Sequence, residues 1–309
     1  MSKLVATRQA FGEGLYNLMQ KNRRIVALTA DLGESLRLLK IRDDMPTRFI
    51  DTGVAEANMV GVAAGLALAG YIPVASTFGV FMTRAFDHIR VQIGHNNLHA
   101  ILVGSHGGVS NALDGGTAHA LEDIAYLRAL PNMTIVFPGD AYEMRQALAA
   151  VIAHPGPVYL RLYREPTPVF TRPRQAFTIG QAAVLRPGHD VTIAATGPHT
   201  AFALEAATAL KAQRIDAEVV HVPTLQPIDH RTIVASARHT KRVITVEDHS
   251  INGGLGSAVA EVLSERLPTA MLRLGVRQFG ESGTYNDLIA KLGIDTKSIV
   301  NATKKFLKS

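Results

Sequence analysis

The clearest chemical signal in the sequence is an acid, Glu56, placed at the entry of a run of small apolar residues. Every residue from Met59 to Gly70 is Ala, Gly, Val, Leu or Met, and the run has helical character. A carboxylate against such a surface is costly unless something specific uses it, so Glu56 is a candidate for proton chemistry. The alternative is an acid in a first helical turn, which the helix dipole favours.

An aromatic pair and two polar residues in glycine-rich loops follow this acid. Phe78 and Phe81 stand three residues apart, which places both rings on one face of a helical turn. His106 and Asp114 come later, each next to glycines. An acid, an aromatic pair, and a histidine and an aspartate in glycine-rich loops together suit a single active-site chemistry. The alternative for the two phenylalanines is burial in the core, where Phe is common.

Nearly the whole chain resembles the C-terminal half of transketolase, the thiamine-diphosphate enzyme, and looks like the separate second subunit of a split form. The resemblance rests on the stretches 51–70, 74–87, 105–117 and 122–132. It implies a two-domain α/β fold: a parallel-sheet pyrimidine-binding domain of thiamine-diphosphate enzymes, followed by a transketolase C-terminal α/β domain. The implied activity is transfer of a two-carbon ketol unit from a ketose phosphate to an aldose acceptor.

The resemblance also implies cofactor-binding residues. Glu56 matches the family's catalytic glutamate, whose carboxyl group bonds the aminopyrimidine ring of thiamine diphosphate. Phe78 and Phe81 match the aromatic platform under that ring, and Asp31 matches an aspartate near it. Arg84 stands on the cofactor side where some transketolases have a third aromatic residue, and a deoxyxylulose-phosphate-synthase-like pattern has Arg there.

A substrate-binding set carries over from the same family. Arg8, Ser35, His106 and Arg164 match the residues around a sugar phosphate, and His106 is also expected to act in catalysis. Arginine suits phosphate because its guanidinium is planar and always charged. Asp114 matches an aspartate that contacts a hydroxyl group of the donor or acceptor.

One catalytic position departs from the family pattern. The family places a histidine four residues after the aspartate, but here that place holds Ala118, and His119 follows it. Either the loop shifts and His119 serves in catalysis, or the contact is lost. The glycines at 115 and 116 permit backbone angles that restore the aim of the histidine, so we predict that His119 is catalytic.

A metal and diphosphate motif is missing from the chain. The family's motif begins Gly-Asp-Gly, whereas here Gly139-Asp140 is followed by Ala141. We therefore assign no metal ligands and expect Mg²⁺ (or Ca²⁺) and the diphosphate of the cofactor on an N-terminal transketolase subunit. This division predicts an α2β2 heterotetramer in which the present chain also self-dimerises.

Composition limits the other classes of function. Cys is absent, so thiolate metal sites, disulfides and cysteine nucleophiles are excluded. The net charge is +6, but the basic residues are dispersed, which favours small anions over nucleic acid as partners. No apolar run reaches membrane-span length and the start has no secretory pattern, so the expectation is a cytoplasmic protein without membrane contact.

Short β-branched runs alternate with helical stretches, which indicates a parallel sheet covered by helices. Prolines cluster after residue 164, and the predicted organisation is a pyrimidine-binding domain at 1–165, a Pro-rich linker at 166–178 and a C-terminal domain at 179–309. Predicted strands lie at 25–29, 72–75, 100–103, 134–137, 158–160, 191–195, 217–222, 242–246 and 269–274. Predicted helices lie at 8–20, 56–69, 84–93, 122–129, 142–152, 200–212, 230–238, 255–267, 285–292 and 296–307.

Three other functions fit the same architecture. The β-subunit of a 2-oxoacid dehydrogenase shares it, although the sugar-phosphate set argues against a lipoyl substrate. A deoxyxylulose-phosphate-synthase-like enzyme is a second alternative. A non-catalytic transketolase-like scaffold is the third: Ala118 favours it, and the presence of Glu56, Phe78 and Phe81 weakens it.

Overall fold

The computed structural model describes residues 4–173 and 176–308, so positions 174 and 175 of the predicted linker lie outside the described residues. An α/β unit forms the first half, as the alternation of strands and helices predicts. A 3₁₀ turn at Thr83–Ala85 and a π-helical segment at Ile89–Gly94 flank its fifth helix. The elements are β1 (Leu4–Val5), α1 (Thr7–Lys21), β2 (Ile25–Thr29), α2 (Leu39–Asp44), β3 (Phe49–Asp51), α3 (Glu56–Leu68), β4 (Ile72–Phe78), α4 (Gly79–Met82), α5 (Phe86–His88), β5 (Ile101–Ser105), α6 (Asp123–Arg128), β6 (Thr134–Val136), α7 (Ala141–Ala153), β7 (Val158–Arg161) and β8 (Thr167–Pro168).

A second α/β unit follows. Its elements are β9 (Ala183–Arg186), β10 (Val191–Ala195), α8 (His199–Lys211), β11 (Ala217–His221), β12 (Thr224–Gln226), α9 (His230–Thr240), β13 (Arg242–Ser250), α10 (Leu255–Arg266), β14 (Ala270–Val276), α11 (Tyr285–Lys291) and α12 (Thr296–Lys308). Its sheet has the order β14-β13-β10-β11-β9, with β9 antiparallel to β11 and the other neighbours parallel.

The first sheet has the order β12-β6-β7-β5-β4-β2-β3. Its six strands from the first half are all parallel. Every residue of β2 and β5 is buried, because helices cover both faces of a parallel sheet. The second half of the chain supplies β12, which pairs antiparallel with β6 and joins the two units at the sheet edge.

Most predicted elements match observed ones to within a few residues, and β2 and β10 have the predicted bounds. The stretch predicted as helical at 84–93 is helical throughout, but in three forms: a 3₁₀ turn, α5 and a π-helical segment. The side-chain amide of Asn96 donates to the carbonyl oxygens of Val91 and Gln92. Two carbonyl groups of the π-helical segment thus have a hydrogen-bond partner besides the helix backbone. No strand was predicted at β1, β3, β8, β9 or β12, which have two to four residues each.

Candidate active site

Five of the candidate site residues lie where neighbouring parallel strands end. Ligands of open α/β sheets bind outside the carboxyl ends of the strands, so this edge is the expected position of a site. The strands concerned are adjacent in the sheet, in the order β7-β5-β4-β2-β3. Asp31 follows β2, Glu56 follows β3, Phe78 ends β4, His106 follows β5 and Arg164 follows β7.

Glu56 is the first residue of α3 and is only 4% exposed. Its carboxylate makes no hydrogen bond within residues 4–173 and 176–308, and the nearest cation is Arg84, with Nη1 at 3.9 Å from Oε2. A buried carboxylate is stabilised by hydrogen bonds or by a close ion pair. Glu56 has no hydrogen bond from the described residues, and its ion pair with Arg84 is long. Its oxygens are therefore available to a ligand.

The aromatic platform consists of three rings. Phe78 and Phe81 stack with their centroids 5.4 Å apart and an angle of 13° between planes. The imidazole of His106 stacks on Phe78 at 3.8 Å, and the guanidinium carbon of Arg84 lies 5.5 Å from the centre of the Phe81 ring. Both phenylalanines are half-buried rather than enclosed in the core, so they present apolar surface for a flat ring.

His106 has a left-handed backbone, with φ of 59°, which is uncommon for a residue other than glycine. Arg8 Nη1 lies 3.4 Å from His106 Nε2, and an arginine can only donate, so Nε2 is an acceptor. Nδ1 then bears the proton and donates to the hydroxyl of Ser105 at 2.9 Å. Burial, followed by the charges of Arg8, Arg164 and Arg37, lowers the pKa of His106 to about 3. The imidazole is therefore neutral at physiological pH.

The other predicted substrate residues form two contacts. Arg8 Nη1 donates to the carbonyl oxygen of Ser35 at 3.0 Å, so the link to Ser35 uses its backbone rather than its hydroxyl group. Arg164 Nη1 forms an ion pair with Asp114 Oδ2 at 3.0 Å. These two arginines, 156 positions apart in sequence, line one groove of about 320 Å³. Folding thus brings together the members of the predicted phosphate set.

Two residues of this edge were not predicted from the sequence. Arg37 lines the same groove as Arg8 and Arg164, and no local motif distinguishes it from other surface arginines. Asp51 accepts hydrogen bonds from the backbone amides of Asp31 and Gly53, which fixes the turn after β2. Asp31 itself is exposed, with φ of 59°.

The second unit holds the loop that contains Asp114 and His119. The hydroxyl of Ser282 donates to the carbonyl of Leu113 at 2.7 Å, and the amide of Gly283 donates to the carbonyl of Ala112 at 3.3 Å. His119 is buried against Gly280, where a Cβ atom would lie 2.3 Å from the ring. Burial lowers the pKa of His119, opposed by the backbone of Ala112. The catalytic role of His119 stays a prediction, and its ring also packs against the second unit.

We expect His119→Phe to reduce turnover strongly, by about ten-fold or more, because it removes both ring nitrogens. A flat ring remains in the buried space, so stability should change little compared with the cavity that His119→Ala would leave. Steady-state kinetics and thermal unfolding of the two variants test this. Near-normal turnover of His119→Phe, with a destabilised His119→Ala, would show that the histidine only packs.

The Gly139-Asp140 pair serves a structural purpose. Asp140 is the N-cap of α7, and its Oδ1 accepts from the amides of Tyr142 and Glu143. Its Oδ2 accepts from the amides of Phe170 and Thr171. Across the described ranges there is no group of three or more His, Cys, Asp or Glu side chains placed to hold a metal ion. Nor do those ranges include a helix of the length and apolarity needed to cross a membrane.

Comparison with known proteins assigns both halves of the chain to one family. Residues 3–169 match the pyrimidine binding domain of transketolase, and residues 180–299 match the transketolase C-terminal domain. The 6-deoxy-6-sulfo-D-fructose transketolase subunit SqwH of Clostridium sp. (strain MSTE9) is 43% identical, over 96% of this chain and 92% of that protein. One of the subunits of the apulose-4-phosphate transketolase of Phocaeicola vulgatus is 33% identical, over 99% of each chain.

Among solved structures, a chain described as a split gene transketolase, inactive beta4 tetramer, has 43% sequence identity and a TM-score of 0.92. The match covers 98% of this chain and 99% of that chain. Transketolase from Campylobacter jejuni shares the fold at 23% identity and a TM-score of 0.85, and the match covers only 47% of its chain. Both domain descriptions and relatives of matching length therefore agree that the chain belongs to the transketolase family, as the second subunit of a split enzyme.

Proposed function

We propose that this chain is the second subunit of a thiamine-diphosphate-dependent transketolase that moves a two-carbon ketol unit from a ketose phosphate to an aldose. The observation that supports this most directly is the buried carboxylate of Glu56, which has no hydrogen bond from residues 4–173 and 176–308 and lies beside a stacked aromatic platform. Arg84 connects the two, since it approaches both Glu56 and the Phe81 ring. The proposal keeps the domain limits predicted from the sequence and a cytoplasmic location.

The residues present fit the pyrimidine half of the cofactor. When bound, thiamine diphosphate supplies the acidic thiazolium carbon at which the ketol unit is taken up. The Glu56 carboxyl group, which is buried and has no hydrogen bond from the described residues, would share a proton with a ring nitrogen of the aminopyrimidine. Phe78 and Phe81 would pack against the face of that ring, and Asp31 would border it. His106, neutral and held by Ser105, would present a fixed hydrogen-bonding edge to the substrate.

The partner follows from what the chain supplies. The site contains Glu56, Asp31 and Asp114 with two aromatic rings and arginines, and within the described residues no three acids or histidines are grouped as a divalent metal would require, so the donors suit a ring and an anion. We assign the diphosphate and its Mg²⁺ (or Ca²⁺) to an N-terminal transketolase subunit in an α2β2 assembly. The relative described as an inactive tetramer of β chains supports a requirement for that partner.

The substrate follows from the groove. Arg8 and Arg164 line it with His106 close by, and Arg164 is held by Asp114. Guanidinium groups bind tetrahedral oxyanions through charge-assisted hydrogen bonds. Two relatives have acid-bearing sugars in their names, a sulfosugar and a sugar phosphate. We therefore propose a sugar phosphate as substrate, with Asp114 near a substrate hydroxyl group.

Reconstitution tests the proposed function. The chain is co-expressed with an N-terminal subunit that carries the Gly-Asp-Gly motif, and ketose phosphates are screened for ketol transfer to an aldose. We expect activity only in the mixture, with the isolated chain inactive and weak in binding thiamine diphosphate by titration calorimetry with Mg²⁺. Tight stoichiometric binding of the cofactor by the isolated chain would contradict the proposed division of labour.

Arg164→Ala in the reconstituted enzyme should lower kcat/KM for phosphorylated sugars by about ten- to a hundred-fold, because it removes a charge-assisted hydrogen bond. Unphosphorylated acceptors serve as the internal control and should be affected little. Steady-state kinetics with matched pairs of substrates makes the measurement. An equal loss with both kinds of substrate would assign Arg164 a structural role through Asp114.

A further inference from the structure

Arg37 occupies a constrained position at the rim of the substrate groove. Its φ is 61°, a left-handed conformation that side-chain-bearing residues seldom adopt. The backbone of Arg37 lies directly against α1 at Gly12, where an added Cβ would be 2.4 Å from the carbonyl oxygen of Arg37 and 2.6 Å from its Cβ. Gly12 of α1 thus leaves space for the backbone of Arg37. This contact fixes the position of the Arg37 Cβ atom, from which the side chain extends.

The groove has an excess of positive charge. Arg8, Arg37 and Arg164 all line it. Arg164 is neutralised by Asp114, and Arg8 donates to a carbonyl and to His106, which are neutral groups. The exposed guanidinium of Arg37 has neither a hydrogen bond nor an ion pair with any residue in the ranges 4–173 and 176–308. Glu165 also lines the groove and its charge acts on Arg8, so two carboxylates, Glu165 and Asp114, oppose three arginines and the groove keeps a net positive charge.

The three arginines lie close enough to affect each other's ionisation. Burial lowers the pKa of Arg8, and the charges of Arg37 and Arg164 lower it further, while the charge of Glu165 acts in the opposite direction. The same charges add to burial in lowering the pKa of His106. Like charges gathered at one site destabilise a folded chain unless an anion joins them. The arrangement is therefore expected to bind an anion of high charge density.

We propose that Arg37 is a third arm of the substrate's anion site and sets its preference between tetrahedral oxyanions, favouring a doubly charged phosphate over a singly charged sulfonate. This inference rests on the proposed function, in which Arg8 and Arg164 contact the terminal acid of a ketose. Arg37 reaches the groove from the loop after β2, whereas Arg8 enters from α1 and Arg164 from the end of β7. Three directions of approach suit the oxygens of a tetrahedral group.

The kinetic test compares two substrates that differ only in the terminal acid. Arg37→Gln in the reconstituted enzyme should lower kcat/KM for the ketose phosphate by about ten-fold, and for the matching 6-deoxy-6-sulfo ketose by about three-fold, since the interaction scales with charge. Arg37→Lys, which keeps the charge, should recover much of the phosphate activity. Arg42→Gln is the control, because Arg42 is exposed on α2 and paired with Asp43. Equal losses with both acids, or none, would overturn the assignment.

A second test needs neither partner nor catalysis. Thermal unfolding of the full chain is followed in inorganic phosphate, with chloride used to keep ionic strength constant. Phosphate should raise the melting temperature of the wild type and of Arg42→Gln, and Arg37→Gln should lose about half of that shift or more. An undiminished shift in Arg37→Gln would refute the inference. If reconstitution fails while phosphate stabilises the chain through Arg37, the anion site stands and only the transketolase assignment falls.

Discussion

Glu56→Gln should reduce ketol transfer by about 10²–10⁴-fold in the reconstituted enzyme, the range typical for loss of a positioned proton-transfer group. Glutamine keeps the shape of the side chain and a hydrogen-bonding oxygen, so cofactor affinity should change little. What is lost is the carboxyl group that, in our proposal, bonds and activates the aminopyrimidine ring. The structure supports a specific effect because Glu56 is buried and makes no hydrogen bond in the described part of the chain.

Hydrogen–deuterium exchange at the thiazolium carbon, followed by NMR, isolates this step from substrate binding. Exchange should slow in Glu56→Gln as turnover falls, while titration calorimetry shows cofactor binding retained. Glu34→Gln is the matched control, since Glu34 is an exposed acid outside the proposed machinery. Wild-type exchange rates in Glu56→Gln would show that another group activates the cofactor.

The parts of the site that sequence analysis could find are local. Glu56 could be identified because a charged residue is unusual at the start of an apolar helix. The Phe78–Phe81 pair could be identified from its spacing of three residues. Their convergence follows from a general property of parallel sheets, whose strand ends meet at one edge. A strand-and-helix pattern with family motifs was therefore enough to predict the fold and to nominate most of the candidate residues.

What sequence analysis missed depends on contacts between distant segments. Arg37 gains its significance only when α1, the loop after β2 and the end of β7 meet at one groove. Ser35 was expected beside the substrate phosphate, and its carbonyl oxygen accepts a hydrogen bond from Arg8 Nη1, a contact that the sequence does not indicate. Ser282 and Gly283 form hydrogen bonds to the loop around Asp114, although they lie about 170 positions away in sequence. No periodic pattern in the sequence predicts such a contact.

The two units are joined by a buried charge network centred on Arg161, the last residue of β7. Its side chain is fully buried. Arg161 Nε donates to Asp123 Oδ2 at 2.8 Å in the first unit, and Nη1 donates to Asp248 Oδ1 at 2.8 Å in the second. The Phe137 ring lies 4.6 Å from the guanidinium carbon. Gly107 makes room, since a Cβ there would lie 2.7 Å from Nε. One cation thus pairs with a carboxylate from each unit.

Arg161→Met should lower the free energy of unfolding by about 3–5 kcal/mol, because it leaves Asp123 and Asp248 as buried, uncompensated charges. Burial opposes the charge on Arg161, but the two carboxylates raise its pKa. The guanidinium group therefore stays charged over the whole pH range in which the protein is folded. Urea unfolding followed by circular dichroism gives the measurement. Arg266→Met, at the exposed end of α10, is the control and should shift stability by roughly 0.5 kcal/mol or less.

A triple variant separates electrostatics from packing. Arg161→Met combined with Asp123→Asn and Asp248→Asn removes the uncompensated charges, so it should regain much of the lost stability although every ion pair is gone. No recovery would show that the size and shape of Arg161 matter more than its charge. Arg164 follows Arg161 by three residues, and Asp123 follows His119 by four. The single variant Arg161→Met and the triple variant therefore both alter the segments that carry Arg164 and His119. Comparing kcat/KM for a ketose phosphate in the stable triple variant with that of the wild type would then show whether the interface between the units positions the substrate residues as well as stabilising the fold.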